Sequence, residues 1–365
     1  MQRDALEVCP KRQRTAEGYS VTPLDWSQHS PVQPVELQVR VPCRQWHWFK
    51  SWTLKHVREM RPQDTKWTTE DQLQLLKSLH AVLALPSRDD GKHVVVKVTC
   101  RPPYKGFPGR LYSPLANLCG PLRANMLIET ADLDMSMAMH RVLLWICKQF
   151  GIKHDQLAYY VANRDGKGGM IERLMEETGC SKAKAKQHYT SPYTSGKSMH
   201  VRNSPFHAKL DSEAKEIQKA LLERPELDWI KPHCRSDGGG GLAGSFVSHL
   251  YHFVECALLL AVSKVISAEF KTPVAALVFD GFNLANASLH GNQQVLDRAH
   301  AVCEQVCPGI NMVWAWKPLD FTVKSADKLE PIQNDDGSTR EVRVPDDFVP
   351  PRQRGGKRPA ASRRR

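Results

Sequence analysis

A chain of 365 residues with 41% hydrophobic and 25% charged positions can bury a large core and has room for two or three subdomains; this is the balance of an ordinary globular protein, not of a low-complexity one. The net charge of +12 and pI near 9.2 favour polyanionic partners. Ten scattered cysteines without a CxxC pair or a preceding signal peptide exclude a disulfide framework and fit a reducing, intracellular setting; no apolar run reaches the roughly 18 residues of a membrane span.

In chain order, residues 1–40 are polar and proline-rich and are expected to be poorly ordered. Residues 41–104 read as an N-terminal helical and strand subdomain. Within it, "RQWHWFKSWTLKHVREM" (44–60) reads first as a helix burying its Trp face, with an aromatic-basic surface that stacks on bases as the other reading. "TTEDQLQLLKSLHAVLAL" (68–85) has a Thr cap and helical apolar spacing, and "KHVVVKVTC" (92–100) is a strand.

Residues 105–325 hold the chemistry. "GRLYSPLANLCGPLRANML" is punctuated by Pro and Gly and runs into a short strand, "NMLIETADLDMS", on which Asp132 and Asp134 face one side. An apolar helix follows at 137–152. A basic stretch, 161–197, carries Arg164, Lys167, Lys182, Lys184, Lys186 and Lys197 with Tyr189 and Tyr193; helical spacing puts Lys182, Lys186 and Tyr189 on one face. "GGGLAG" (239–244) matches a dinucleotide fingerprint literally, but the polar, proline-bearing segment before it is no strand, so the match is chance. Glu255 lies inside the apolar helix 242–266. At 275–286, "AALVFDGFNLAN" places Asp280 at the mouth of an apolar hairpin, where an unpaired carboxylate is costly and a cation is expected opposite. His233, Cys234, Cys303 and Cys307 fit no zinc spacing. Residues 326–365 read as a linker and basic tail, the last 15 holding seven Arg and Lys and no acid, which suits a solubility tail, a nuclear address or a nucleic-acid-binding arm.

Two acids where a strand turns into a helix and a third at a distant hairpin tip suggest carboxylates that jointly hold a pair of divalent cations; the other reading is a turn Asp and a surface pair unrelated in space. The basic helix likewise reads either as a triphosphate contact or as a solvated face.

The order of these pieces resembles the palm and fingers of polymerases related to DNA polymerase family A and the single-subunit RNA polymerases, over residues 105–325. Asp134-Met135-Ser136 resembles motif A, "SKAKAKQHYTSPYTSG" motif B, and Phe279-Asp280-Gly281 motif C. A divergent group found in giant viruses and mobile elements is closer, through Asp132, Asp134 and His140; Asn163, Arg164 and Asp165; Ala185 and Lys186; Gly244, Ser245, Phe246, Ser248 and Glu255; and Phe279, Asp280 and Gly281. The usual motif A Glu is absent, Met139 standing there, and the Tyr-Gly after motif B is stretched.

The resemblance implies an α/β (α+β) polymerase-like palm with an antiparallel sheet and helical fingers. It implies a template-directed nucleotidyltransferase, DNA or RNA polymerase-like and of use in DNA replication, using two divalent metals, Mg²⁺ or Mn²⁺, with nucleic acid and nucleoside triphosphates as partners and no membrane. Asp134 and Asp280 would be catalytic and metal-holding, with Asp132 as an extra ligand. Arg164, Lys186, Tyr189 and Lys167 would contact the nucleotide; Lys182, Arg110 and Lys317 the nucleic acid; His140 and Glu255 would support the site. The setting would be intracellular, nuclear or a viral replication compartment. A non-catalytic nucleic-acid-binding protein, such as a degenerate polymerase relic, is the alternative.

Overall fold

The computed structural model describes residues 14–15, 18–19, 21–26, 32–59, 68–102, 107, 109–195, 205–235 and 241–319. Residues 326–365, the expected linker and basic tail, and Lys197 lie outside the described residues. The protein is a mixed α/β chain with antiparallel sheets, and it divides into two compact units.

A two-residue pairing, β1 (Arg14–Thr15) with β2 (Gly18–Tyr19), opens the chain. Within the 1–40 segment expected to be poorly ordered, Leu24 and Trp26 are anchored. Trp26 stacks on Trp145 at 5.7 Å and meets Phe150 and Phe253, while the Leu24 amide donates to the Val306 carbonyl. A lone Trp in a polar segment gives no sign of the aromatic surface it will find.

The smaller unit is built from Gln38–Val98 and Pro114–Ile128. It contains β3 (Val35–Pro42), α1 (Cys43–Lys50), α2 (Leu54–Glu59), α3 (Thr69–Leu83), β4 (Ser87–Asp89), β5 (His93–Cys100) and α4 (Gly120–Met126). Its sheet runs β3-β5-β4. Helix α3 starts where expected: the Thr68 hydroxyl accepts from the Asp71 amide, and the Asp71 carboxylate accepts from the Thr68 amide, a reciprocal capping box. Trp46, Phe49 and Trp52 are buried, so the aromatic-basic stretch uses its rings for packing. Asn125 and Met126 sit in α4, which shortens the strand expected from 125 onward.

The larger unit begins again at Glu129. Its elements are β6 (Ala131–Ser136), α5 (Ala138–Gln149), α6 (Asp155–Asn163), α7 (Met170–Thr178), α8 (Lys182–Thr194), α9 (Pro205–Leu222), α10 (Gly241–Glu269), β7 (Val274–Val278), β8 (Gly281–Leu284), α11 (Gln293–Val306) and β9 (Val313–Lys317). The sheet order is β7-β8-β6-β9, antiparallel throughout. β6 alternates strictly, as a half-buried strand does. Leu133 and Met135 face the core with Phe282 and Trp314; Asp132, Asp134 and Ser136 face the other way.

Helix α10 is the spine of this unit, packing against α5, α8, α9 and α11. By length and composition it could cross a membrane, contrary to the expectation that no such run exists, but 67% of its most apolar window is buried inside the fold. Among the described residues it is the core helix. Two side chains on α9 satisfy backbone ends elsewhere. Glu213 accepts from the Gln156 and Leu157 amides at the start of α6. Gln218 donates to the Pro192 and Tyr193 carbonyls at 3.0 and 2.8 Å, where the proline interrupts α8.

Gly244 is required by packing. A Cβ there would stand 2.5 Å from the Thr194 carbonyl oxygen, where α10 passes the end of α8. Gly244→Ala should therefore destabilise the fold by about 1–3 kcal/mol, the usual cost of overpacking, measured by urea unfolding; an unchanged midpoint would mean the helices separate freely at this point.

Candidate active site

The site begins with strand register. Asp134 on β6 is the partner of Gly281 on β8, and the Met135 amide donates to the Asp280 carbonyl at 3.0 Å. Asp134 and Asp280, 146 positions apart in sequence, thus become neighbours across one antiparallel ladder. Gly281 permits this approach: a Cβ there would lie 2.6 Å from the Leu133 carbonyl oxygen and 2.9 Å from Asp134 Oδ1. The turn between β7 and β8 consists of Phe279 and Asp280, and Phe279 adopts a left-handed φ of 54°, which an aromatic residue seldom does.

What holds Phe279 there lies beneath it. The Arg110 guanidinium stands 5.4 Å from the Phe279 ring centroid, and Tyr112 meets the ring edge-on at 6.4 Å. Arg110 in turn donates Nε and Nη2 to the two oxygens of Glu255, at 2.8 and 2.7 Å, in a bidentate fork. Glu255 is 1% exposed. Arg110 was expected on nucleic acid; instead it is committed to this ion pair, because a carboxylate that deep in α10 demands a matched cation.

The acids press on one another. Burial pushes the Asp280 carboxyl up to about 7, and the facing charges of Asp134 and Glu255 add to that, with Arg110 only partly opposing. The cation expected opposite the hairpin acid is therefore Arg110, but Glu255 already engages it. Asp134 has its own cation: Lys317 Nζ stands 3.5 Å from Asp134 Oδ2. Lys317, expected on nucleic acid, closes this side of the sheet.

Asp132 does not join the pair. It lies two residues further along β6, about 7 Å away by strand rise, opposite Asn283 and Lys317. Among the described residues no group of three or more His, Cys, Asp or Glu side chains is arranged to hold a metal ion. This also leaves His233, Cys234, Cys303 and Cys307 apart as a metal set; Cys303 Sγ accepts from Trp314 Nε1 within the core. The donor set of Asp134 and Asp280, two hard oxygen groups in mutual repulsion, nonetheless fits a single divalent cation such as Mg²⁺, which keeps several waters and needs few protein ligands.

On the helical side, Lys186 on α8 lies within electrostatic reach of Arg164, Lys182 and Lys317, and burial followed by those like charges lowers its proton affinity. Arg164 follows α6, its side chain only 11% exposed, with Nη1 3.4 Å from Asp165. Lys167 is exposed in the turn that follows, and Lys184 reaches Gln187 on the other side of α8.

Tyr189 departs from its expected role. Its ring is sandwiched between Tyr160 at 4.4 Å and His207 at 4.9 Å, and its hydroxyl donates to the Met170 carbonyl. It is 2% exposed, so in this structure it offers no face to a base or sugar. The helix face it shares with Lys186 tilts inward within one turn. His140 Nε2 lies 3.3 Å from the Tyr189 carbonyl, linking α5 to α8. Burial lowers the imidazole to about 4, so the ring is neutral. Ser245 accepts from the Arg235 amide and Phe246 is buried; that segment of α10 serves packing.

Two further residues, one beside the acids and one on α5, stand out in the structure. Tyr251, one turn before Glu255 on α10, has a hydroxyl pushed up by burial among Arg110, Glu255, Tyr112 and Asp280. Arg141 on α5 donates Nη1 to the Asn311 carbonyl and lies within electrostatic reach of Arg164. The i, i+4 spacing of Tyr251 and Glu255 was the available clue to the first.

Neither a known protein family nor a curated protein matches this sequence. Among solved structures, the chain is similar to the POL domain of Pol1 from M. smegmatis in complex with DNA primer-template and dNTP. The match has a TM-score of 0.40 and 10% identity and covers 78% of this chain and 67% of that one.

The raised Asp280 sets a pH dependence. Its folded value of about 7 stands above the ordinary 3.8, so the protonated form is the one folding favours. That contribution is complete below about pH 4 and is lost as pH rises through 7. Asp280→Asn, which keeps the shape without the charge, should be more stable than the natural protein at pH 8 by about 1–3 kcal/mol and equal to it near pH 3. Urea unfolding at several pH values checks this; parallel curves for the two proteins would show that Asp280 is not held protonated.

Proposed function

We propose that this protein is a polymerase-like nucleotidyltransferase acting on nucleic acid, with Asp134 and Asp280 as its metal-holding pair. The observation that carries the reading is the β6–β8 register, which sets Asp134 on β6 beside Asp280 in the turn before β8, with Lys186 of α8 within electrostatic reach of Arg164 and of Lys317, the lysine on Asp134. A divalent ion bound there would neutralise charge on phosphoryl oxygens and lower the proton affinity of an attacking hydroxyl.

The chain's own residues do the rest by position and charge. Lys186 and Arg164 present cations to an incoming triphosphate, whose charge persists through the transfer. Lys182, one turn earlier on α8, reaches toward primer or template phosphate. Lys317 stands on Asp134, where a bound divalent cation would compete with it. Arg110 and Glu255 fix the hairpin that carries Asp280, and Tyr189 and His140 hold α8 against the body of the unit. A giant-virus or mobile-element kinship, a nuclear or replication-compartment setting, and a role for the basic tail on nucleic acid belong to this proposal as well.

A non-catalytic nucleic-acid binder is the second reading. The Lys317–Asp134 contact favours it, since an acid already neutralised by the protein has less need of a metal.

Primer extension with each nucleotide set, with and without Mg²⁺, separates the two. Asp280→Asn should abolish incorporation while leaving nucleic-acid affinity nearly unchanged. Lys186→Ala should raise the nucleotide KM and slow incorporation, whereas Lys182→Ala should weaken nucleic-acid binding alone. Incorporation by Asp280→Asn at the natural rate would end the metal-site reading, and no Mg²⁺-dependent incorporation by the natural protein would leave the binder as the reading of the chain.

A further inference from the structure

We propose that Arg141 and Arg164 together form a binding site for polyphosphate oxygens, with Asp165 as a built-in competitor that the ligand displaces. This rests on the nucleotidyltransferase reading and adds to it a residue and a counter-ion that the reading does not require.

The two arginines come from packed neighbours. Arg141 is on α5, and Arg164 follows the end of α6, which packs against α5. Each guanidinium is partly engaged, Arg164 with the Tyr160 side chain among its partners. Arg141 Nη1 donates to the Asn311 carbonyl at 2.8 Å, and Arg164 Nη1 faces Asp165 at 3.4 Å. In both, the Nε–H is buried and has no hydrogen-bond partner among the described residues. A buried, charged donor left unmade is expensive, and each of these two guanidinium groups carries one.

Charge points the same way. Burial, then the neighbouring Arg164, weakens Arg141's hold on its proton, and Asp165 only partly offsets this. Lys186 adds a third cation within reach of Arg164. Asp165 is the acid paired with Arg164 in this group, at a distance longer than a good charge-assisted hydrogen bond, and its side chain is 55% exposed. It can swing into solvent at little cost. Surplus buried donors, a concentration of positive charge and a weakly held internal anion describe a site for a multiply charged oxyanion. A polyphosphate chain meets that description: it carries several charges along its length, and each planar guanidinium can receive two of its oxygens.

The test is calorimetric titration of the full chain with inorganic pyrophosphate, in chelator at fixed ionic strength and without nucleic acid. The natural protein should show saturable binding. Arg141→Gln and Arg164→Gln should each weaken it at least about tenfold, the order expected for losing one charge-assisted contact. Arg141→Lys should fall between. Asp165→Asn should bind several-fold tighter, because the competitor has lost its charge. Lys77→Gln, on exposed α3, controls for general charge and should bind as the natural protein does. No saturable binding at millimolar pyrophosphate, an Arg141→Gln affinity equal to the natural one, or an Asp165→Asn affinity unchanged or weaker would each overturn the proposal. The Asp165 variant changes an exposed side chain, so the test stands even where an arginine variant fails to fold. Lost pyrophosphate binding in Arg141→Gln alongside no Mg²⁺-dependent incorporation by the natural protein would keep the anion site and remove the transferase reading; incorporation by the natural protein with pyrophosphate binding unchanged in Arg141→Gln would do the opposite.

Discussion

Three carboxylates and two cations meet where β8 turns beside β6. Asp134, Asp280 and Glu255 influence one another, while Arg110 is forked onto Glu255 and Lys317 stands on Asp134. Fully ionised, the group carries one negative charge too many. That surplus can be relieved by a proton on Asp280 or by an added cation. Much of the larger unit is arranged to keep this choice open, since moving any member away would remove the strain and the chemistry together.

The arrangement constrains backbone as well as side chains. Glu255 sits in the middle of a long apolar helix, where an acid is tolerable only with a matched fork, and Arg110 supplies it from a segment over 140 residues earlier. The same guanidinium lies under Phe279, whose left-handed backbone turns the hairpin tightly enough to put Asp280 against Asp134. Gly281 then has to lack a side chain. One ion pair therefore acts on the helix core, on the strained turn and on the acid at its tip.

Much of this was legible in the sequence through local rules. The Thr68 cap, the alternation of β6 and the apolar hairpin around Asp280 each follow from a few adjacent residues, and the structure has them where periodicity put them. Long-range partners were not legible. Nothing local tells that Arg110 serves Glu255 instead of a phosphate, or that Tyr189 turns inward between Tyr160 and His207, because helical spacing gives the face a residue shares but not what covers that face. Asp132 illustrates the same limit within one strand: alternation puts it on the side of Asp134, but hairpin register decides that only Asp134 meets Asp280. Trp26 and Arg141 gave no warning, since each depends on a surface assembled from distant helices.

The central claim is that the Asp134–Asp280 pair holds a divalent cation. Titration of the full chain with Mn²⁺, following the free-ion signal by electron paramagnetic resonance, tests it directly. The account predicts saturable binding that Mg²⁺ competes away, that strengthens as pH rises through about 7 when Asp280 releases its proton, and that Asp134→Asn abolishes. An absence of saturable binding at millimolar Mn²⁺, or binding that Asp134→Asn leaves unchanged, would contradict it.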